Sequence, residues 1–202
     1  KLDTYIYTQS LDRDFSAFTA GTTARTNIGQ YSAPYNGNGG SMRGVELSGS
    51  LPLNMVSPLL DGFGIIVGGN YNKSNITIED PASEIGKAIP LPGMSKFTSN
   101  VTAYYEKSGF EARISGRHRS DFVGEIASFG AERILRYIVG ETVYDAQLGY
   151  NFTQGALKGV GVTLQVNNLS NERYESYNVV RSRQGNFGEY GRTIMLGASY
   201  KF

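Results

Sequence analysis

Apolar residues recur at every second position through one segment of this chain after another. Over residues 142–152, Tyr144, Ala146, Leu148, Tyr150 and Phe152 alternate with Val143, Asp145, Gln147, Gly149 and Asn151. Over 159–167, Val160, Val162, Leu164 and Val166 oppose Gly161, Thr163, Gln165 and Asn167, and at the end Ile194, Leu196, Ala198, Tyr200 and Phe202 oppose Thr193, Met195, Gly197, Ser199 and Lys201. That period belongs to two-faced strands. A hairpin about Lys107-Ser108-Gly109 puts Phe97, Val101, Ala103, Tyr105, Phe110, Ala112, Ile114 and Gly116 on one face. The other face carries Glu106, Glu111, Arg113, Arg117 and Arg119. Extending the pattern upstream predicts eight antiparallel strands at about 2–10, 42–53, 63–78, 96–106, 109–120, 141–153, 159–168 and 191–202.

The connections of roughly 30, 9, 17, 3, 20, 6 and 22 residues alternate long with short. Outer-membrane barrels have this asymmetry, with short periplasmic turns and long extracellular loops. An even strand count then puts both termini on the short-turn side. About 10 residues at roughly 3.3 Å each, tilted near 40°, rise about 25 Å, the height of the apolar band of such a barrel. Aromatics fall at the strand ends on the apolar parity: Phe63, Tyr105, Phe110, Phe152 and Phe202 at the short turns, and Tyr71, Phe97 and Tyr144 at the long loops. Ring residues concentrate there because ring and headgroup meet at the interface. The expectation is an all-β transmembrane barrel segment, with Leu148, Val162, Leu164, Leu196 and Ala198 toward lipid. Glu106, Glu111, Arg113, Arg117, Asp145, Gln147 and Gln165 then face the lumen.

Composition narrows the function. No apolar run approaches the roughly 18 residues of a spanning helix. With 19 basic and 18 acidic residues there is no electrostatic footprint for nucleic acid. The absence of Cys excludes disulfides and thiolate sites, and a single histidine, His118, argues against a His-based metal centre or acid/base pair. An outer-membrane hydrolase lacks a nucleophile with its His partner. The expectation is no enzyme, no cofactor and no metal. Lys1 is not a starting Met, which is expected of a mature product or a fragment.

Several motifs then resemble one family. Leu91-Pro92-Gly93-Met94-Ser95-Lys96, Tyr104-Tyr105-Glu106-Lys107-Ser108-Gly109-Phe110 and Arg117-His118-Arg119-Ser120 resemble late barrel strands of TonB-dependent outer-membrane receptors. Asn167-Asn168-Leu169-Ser170-Asn171-Glu172-Arg173-Tyr174 resembles their penultimate-strand motif. Tyr190-Gly191-Arg192-Thr193 and Leu196-Gly197-Ala198-Ser199-Tyr200-Lys201-Phe202 resemble their last strand, and Gly44-Val45-Glu46-Leu47 an earlier one. The likeness covers nearly the whole chain and is nearest to the Caulobacter and Xanthomonas type, many of whose members are linked to carbohydrate uptake. It implies a 22-stranded importer of a small solute, energised by the TonB complex through an N-terminal plug. Residues 1–202 correspond to its C-terminal barrel part, without plug or earlier strands. The partners implied are outer-membrane lipid, the plug, the remaining strands and the assembly machinery, which in this family recognises a terminal aromatic such as Phe202. Two physical states stay open, a curved wall with free edges and a small closed barrel acting as an adhesin or anchor.

Candidate binding residues lie in two long loops. Tyr31, Tyr35, Asn36 and Asn38 occupy the first, and Tyr177, Asn178, Arg181 and Arg183 the last. Aromatic faces stack on sugar rings while amides and guanidiniums bond hydroxyls, a mix that also suits an iron chelate. Neither loop has a strong basic excess, which favours a carbohydrate over a ferric siderophore. Asn36-Gly37-Asn38-Gly39-Gly40 precedes a strand rather than opening a helix and reads as loop, not phosphate cradle. Asp121, Glu125 and Glu132 lack a compact calcium spacing and read as solvated charge. His118 falls on the outward parity near a loop.

Overall fold

The computed structural model describes residues 4–10, 28–34, 39–77, 88–129 and 132–201. Strands β1 to β7 are Thr4–Ser10, Ile28–Pro34, Gly40–Pro52, Phe63–Thr77, Ala88–Ile89, Phe97–Lys107 and Phe110–Arg119. Strands β8 to β14 are Phe122–Phe129, Glu132–Ile138, Glu141–Asn151, Val160–Asn167, Tyr174–Asn178, Gln184–Gly188 and Thr193–Tyr200. The only helical segments among the described residues are two single 3-10 turns, Leu53–Met55 and Pro58–Leu60. No described helix is long and apolar enough to cross a membrane.

Seven strands lie side by side in the order β14-β11-β10-β7-β6-β4-β3, every pair antiparallel, and β5 pairs with the end of β4 as the eighth. Their bounds agree with the alternation to within about two residues. The register explains why. Leu51, Ile65, Ala103, Ile114, Ala146, Val166 and Ile194 stand opposite one another in a row that crosses all seven strands. One residue along, on the other face, runs the row Gly64, Tyr104, Arg113, Gln147, Gln165 and Met195. Only Met195 breaks the polarity of that row, and Ile66, opposite Thr102, does so on the same parity of β4.

The apolar face has no protein cover. Leu196 is 78% exposed and Ile194 70%, while Ile89, Val123 and Val143 are the only buried hydrophobic residues among those described. A water-soluble domain of this size would do the opposite, burying such a face in a core. Lipid is the solvent that suits it. Within the sheet, β3 and β14 each have one partner among the described residues, so the wall is open and its first and last strands do not meet.

Turn and ring chemistry secure the wall. β6 and β7 join through Ser108 and Gly109, whose φ angles of 54° and 84° give the left-handed backbone of a two-residue hairpin turn. Beside it, Lys107 Nζ is 2.9 Å from Asp61 Oδ2, clipping neighbouring turns together. The expected aromatic band at this end is present, with ring centroids 4.5 Å apart for Phe63 and Tyr105, 6.0 Å for Tyr105 and Phe110, and 4.8 Å for Tyr150 and Phe152. Phe202 lies outside the described residues. Two rings lie over glycines directly across the ladder: a Cβ on Gly64 would fall inside the Tyr104 ring, and one on Gly116 would strike the ring of Tyr144.

Two sequence expectations need correction. The 121–140 and 169–190 connections are not plain loops, because β8, β9, β12 and β13 form a four-stranded sheet in the order β13-β12-β9-β8. That order repeats β14-β11-β10-β7, so each upper strand continues a wall strand after a short break. No lipid covers one of its faces, so it carries no strict alternation to betray it. The first strand also differs. Thr4–Ser10 is a strand as expected, but it pairs with β2, placing Tyr31 opposite Tyr7 in a separate two-stranded sheet rather than in a loop.

Candidate functional site

The break between the two storeys is built from polar side chains that cap interrupted ladders. Asp121 Oδ1 accepts from Gly140 N–H at 2.7 Å, joining β7–β8 to β9–β10. Asp145, expected on the lumen face, accepts from Asn168 N–H at 2.9 Å. Asn168 sits at φ 56°, a left-handed conformation that Asn tolerates better than most residues. Its side chain accepts from Glu172 N–H at 2.7 Å and donates at 3.1 Å to both Glu172 O and Gly191 O. The motif at 167–174 is therefore a staple between the last two upper connections.

Above the staple, β9 and β12 run side by side with Tyr137 opposite Tyr177 and Arg136 opposite Asn178. The two tyrosine rings stack with centroids 5.1 Å apart and planes 7° from parallel. Tyr177 OH donates to Asp121 Oδ2 at 3.4 Å, and Arg181 Nη2 donates to the same oxygen at 2.8 Å. Burial alone pushes the Asp121 carboxyl up, but the bonds from Arg181 and Gly140, the Arg181 charge and the Tyr177 hydroxyl together hold it below its ordinary value. Tyr177 titrates above its usual range, through burial first and then the Asp121 charge. The β12–β13 turn that returns Arg181 to this cluster contains Val179 at φ 63°, a strained conformation for a β-branched residue, held by Val179 N–H to Leu135 O at 2.9 Å.

Of the expected loop residues, the structure brings Tyr177 and Arg181 together around Asp121 and places Asn178 Oδ1 3.4 Å from Arg136 Nε. Among the described residues Arg183 enters by backbone alone, its carbonyl accepting from Asn178 N–H at 2.9 Å. Tyr31 is in β2, and Tyr35, Asn36 and Asn38 lie outside the described residues. On the polar face, Arg113 Nη2 pairs with Glu106 Oε1 at 3.1 Å, Asn151 Nδ2 donates to Glu111 Oε1 at 2.9 Å, and Gln165 Nε2 donates to Asn167 Oδ1 at 2.9 Å. Arg117 has no carboxylate within 4.0 Å among the described residues. His118 keeps the outward parity, with Nδ1 2.8 Å from Thr142 Oγ1 and its ring 5.9 Å from that of Phe97.

The sequence reading missed a recess of about 490 Å³ where the polar face meets the upper sheet. Arg119, Glu125, Arg136, Glu141, Tyr174 and Asn186 line it. The Arg119 guanidinium lies 3.9 Å from the Phe122 ring centroid and its Nε donates to Ser95 Oγ at 3.3 Å, while Arg136 pairs with Glu125. Two arginines and two glutamates leave the recess formally neutral. Only the parities of Arg119 and Glu141 could have flagged it, since Glu125, Arg136, Tyr174 and Asn186 come from β8, β9, β12 and β13, which lack a readable period.

An open antiparallel wall with an apolar outer face and a polar inner face carrying a recess at its loop end is the geometry of a segment of a transmembrane barrel. Residues 1–169 match the family described as TonB dependent receptor-like, beta-barrel. The chain belongs to this family. Its members are transporters of the bacterial outer membrane rather than enzymes, and the uncovered apolar face agrees with that location. No curated protein sequence matches the chain. Among solved structures, the ferric citrate transporter FecA in the unliganded form is similar with a TM-score of 0.55 at 16% identity. The match covers 89% of this chain and 26% of that one, so this chain spans about a quarter of the FecA structure. At that identity the likeness speaks for the fold.

Proposed function

We propose that this chain is the C-terminal part of the barrel wall of an active importer, and that the recess between its storeys holds part of a neutral, hydroxyl-rich solute. The balanced charge of the recess carries the reading. One ion pair, Arg136 with Glu125, an Arg119 and a Glu141 that balance in charge, and the half-buried ring of Tyr174 suit hydroxyl groups and a sugar face, whereas a polyanionic ligand calls for surplus cations. Tyr177, Asn178 and Arg181 lie on the adjoining hairpin, where they would extend the contact, and Tyr31 of β2 with Tyr35, Asn36 and Asn38 are further proposed contacts from the sequence pattern. A carbohydrate also agrees with the likeness to the Caulobacter and Xanthomonas type. A wall has no energy source of its own, so uptake on this reading depends on a plug and the TonB complex contributed by the rest of the receptor.

A second reading rests on Arg117 and Arg119. Both are on the polar parity, and neither forms an ion pair among the described residues, leaving positive charge for an anionic ferric chelate. FecA, by its description, transports such a compound. Binding by the intact receptor separates the two. Tyr174→Ala is expected to weaken neutral oligosaccharides about threefold to tenfold, the worth of one ring contact, and Arg117→Ala to leave them unchanged. Binding of ferric citrate alone, weakened by Arg117→Ala, would reject the carbohydrate.

A further inference from the structure

The polar face of the wall changes character between β6 and β7. Around β7 its groups serve one another, as in Arg113 with Glu106 and Asn151 with Glu111. Above Glu106, the same face of β3, β4 and β6 carries Ser48, Ser50, Asn70, Asn100 and a single carboxylate, Glu46. Ser48, Gly68 and Asn100 stand in one row, and Glu46 and Asn70 in the next toward the loop end. Gly68 has no side chain to fill the middle of its row, and Asn100 leans over it, with Oδ1 2.6 Å from where a Cβ would stand. A second recess of about 390 Å³ results, lined by these residues. Among the described residues the side chains of Glu46, Ser48, Ser50 and Asn100 have no hydrogen-bond partner, and Asn70 engages only Oδ1, which accepts from Asn72 Nδ2 at 3.0 Å.

We propose that this second recess is a weak subsite for a neutral, hydroxyl-rich solute, reached after the recess between the storeys. The proposal rests on the neutral reading of that solute. Its free hydroxyls and amides can each donate to or accept from a sugar hydroxyl, and the Glu46 carboxylate can accept from two. An anionic chelate would meet Glu46 with no cation in the recess to offset it, and would be repelled. Weakness is the useful property here, because a wall that passes a solute on must bind it well enough to admit it and loosely enough to release it. The position agrees. Gly68 lies three residues from Tyr71 of the loop-end ring row, roughly 10 Å along the strand toward the short turns.

The test uses the intact receptor in cells energised for uptake, with Thr102→Cys as reporter and an uncharged maleimide as label. Thr102 is opposite Ile66, beside the recess but not among its lining residues, and this chain has no cysteine of its own. Methyl glucoside at about 0.3 M should slow labelling about fourfold, the mass-action protection by a site with a Kd of about 0.1 M. Citrate at the same concentration should give no protection, and Asn100→Ala combined with Ser48→Ala should abolish that given by the glucoside. A second reporter, Gln147→Cys on the charged part of the same face, should show none. Thr98→Cys, opposite Asn70, repeats the measurement if the first reporter fails to assemble. Equal protection at Gln147→Cys, protection by citrate or by sodium chloride at equal osmolality, or protection that survives the double alanine variant would overturn the proposal. So would unprotected labelling in methyl glucoside, or a reporter that the label never reaches, since a recess closed by the plug holds no solute. Oligosaccharide binding by Tyr174→Ala reads the upper recess and not these reporters, so the solute assignment and this subsite fail separately.

Discussion

The wall and the upper storey use the same strand order and opposite means of cohesion. In the wall, apolar side chains point away from the protein, and the ladder with its ring bands supplies the order, because hydrocarbon forbids an unpaired backbone group. In the upper storey, Val123 is fully buried and Ser176 nearly so, with hydroxyl and carboxylate groups completing backbone bonds and guanidinium groups joining side chains. Ser176 Oγ, for instance, accepts from Asn186 N–H at 2.7 Å. One region is specified by its solvent, the other by individual hydrogen bonds. Disturbing each should therefore have different symptoms.

The largest effect is expected in the wall. Leu164 lies between Leu148 and Leu196 in an apolar row, and Leu164→Arg should cost about 2–4 kcal/mol on folding into bilayers, the penalty for charge near mid-depth. Equilibrium folding into vesicles measures it, and an unchanged value would mean that this face does not meet lipid. Next comes the staple. Asn168→Ala removes three side-chain bonds at the storey junction and should cost about 1–3 kcal/mol, whereas Asn168→Gly, which keeps the left-handed backbone easy, isolates the side-chain part. Proteolysis should reach residues 122–138 and 174–188 in these variants before it reaches the wall. A uniform loss across both regions would erase the distinction drawn between them.

The smallest effect depends on pH. The folded-state value of Asp121 is depressed below 3.8, so its contribution is complete at neutral pH and fades as the pH falls through that lowered value. Pepsin cleavage across pH 2–5 should rise at the upper storey as the pH drops, with the wall unaffected, and Asp121→Asn should flatten the dependence. A wall that opens in parallel would contradict the separation.

Legibility in the sequence follows the same division. β10, β11 and β14 could be delimited from Leu148, Leu164 and Leu196 because lipid tolerates only one parity, and the turn at Ser108-Gly109 is local chemistry. β9 and β12 could not. Arg136, Tyr137 and Ile138 succeed one another without a period because both faces of that sheet are occupied by mixed neighbours. The recess lined by Arg119, Arg136 and Tyr174 was hidden for the same reason, since its residues come from strands that only the fold aligns. Asn168 was visible as part of a family motif, but its stapling role depends on Gly191, which is 23 positions away.

The rings that lie over Gly64 and Gly116 bear on an ambiguity inherent in any two-faced ladder. Sliding one strand past its neighbour by two residues returns every side chain to its original face, so polarity cannot tell the native alignment from such a slip. A displaced Tyr144 would meet Ile114 or His118 instead of Gly116, and a displaced Tyr104 could meet Ile66 instead of Gly64. Each glycine leaves a notch that Ile66, Ile114 or His118 cannot offer. The two notches are on opposite faces of the sheet, so proofreading of strand alignment operates from the lipid side and the channel side at once.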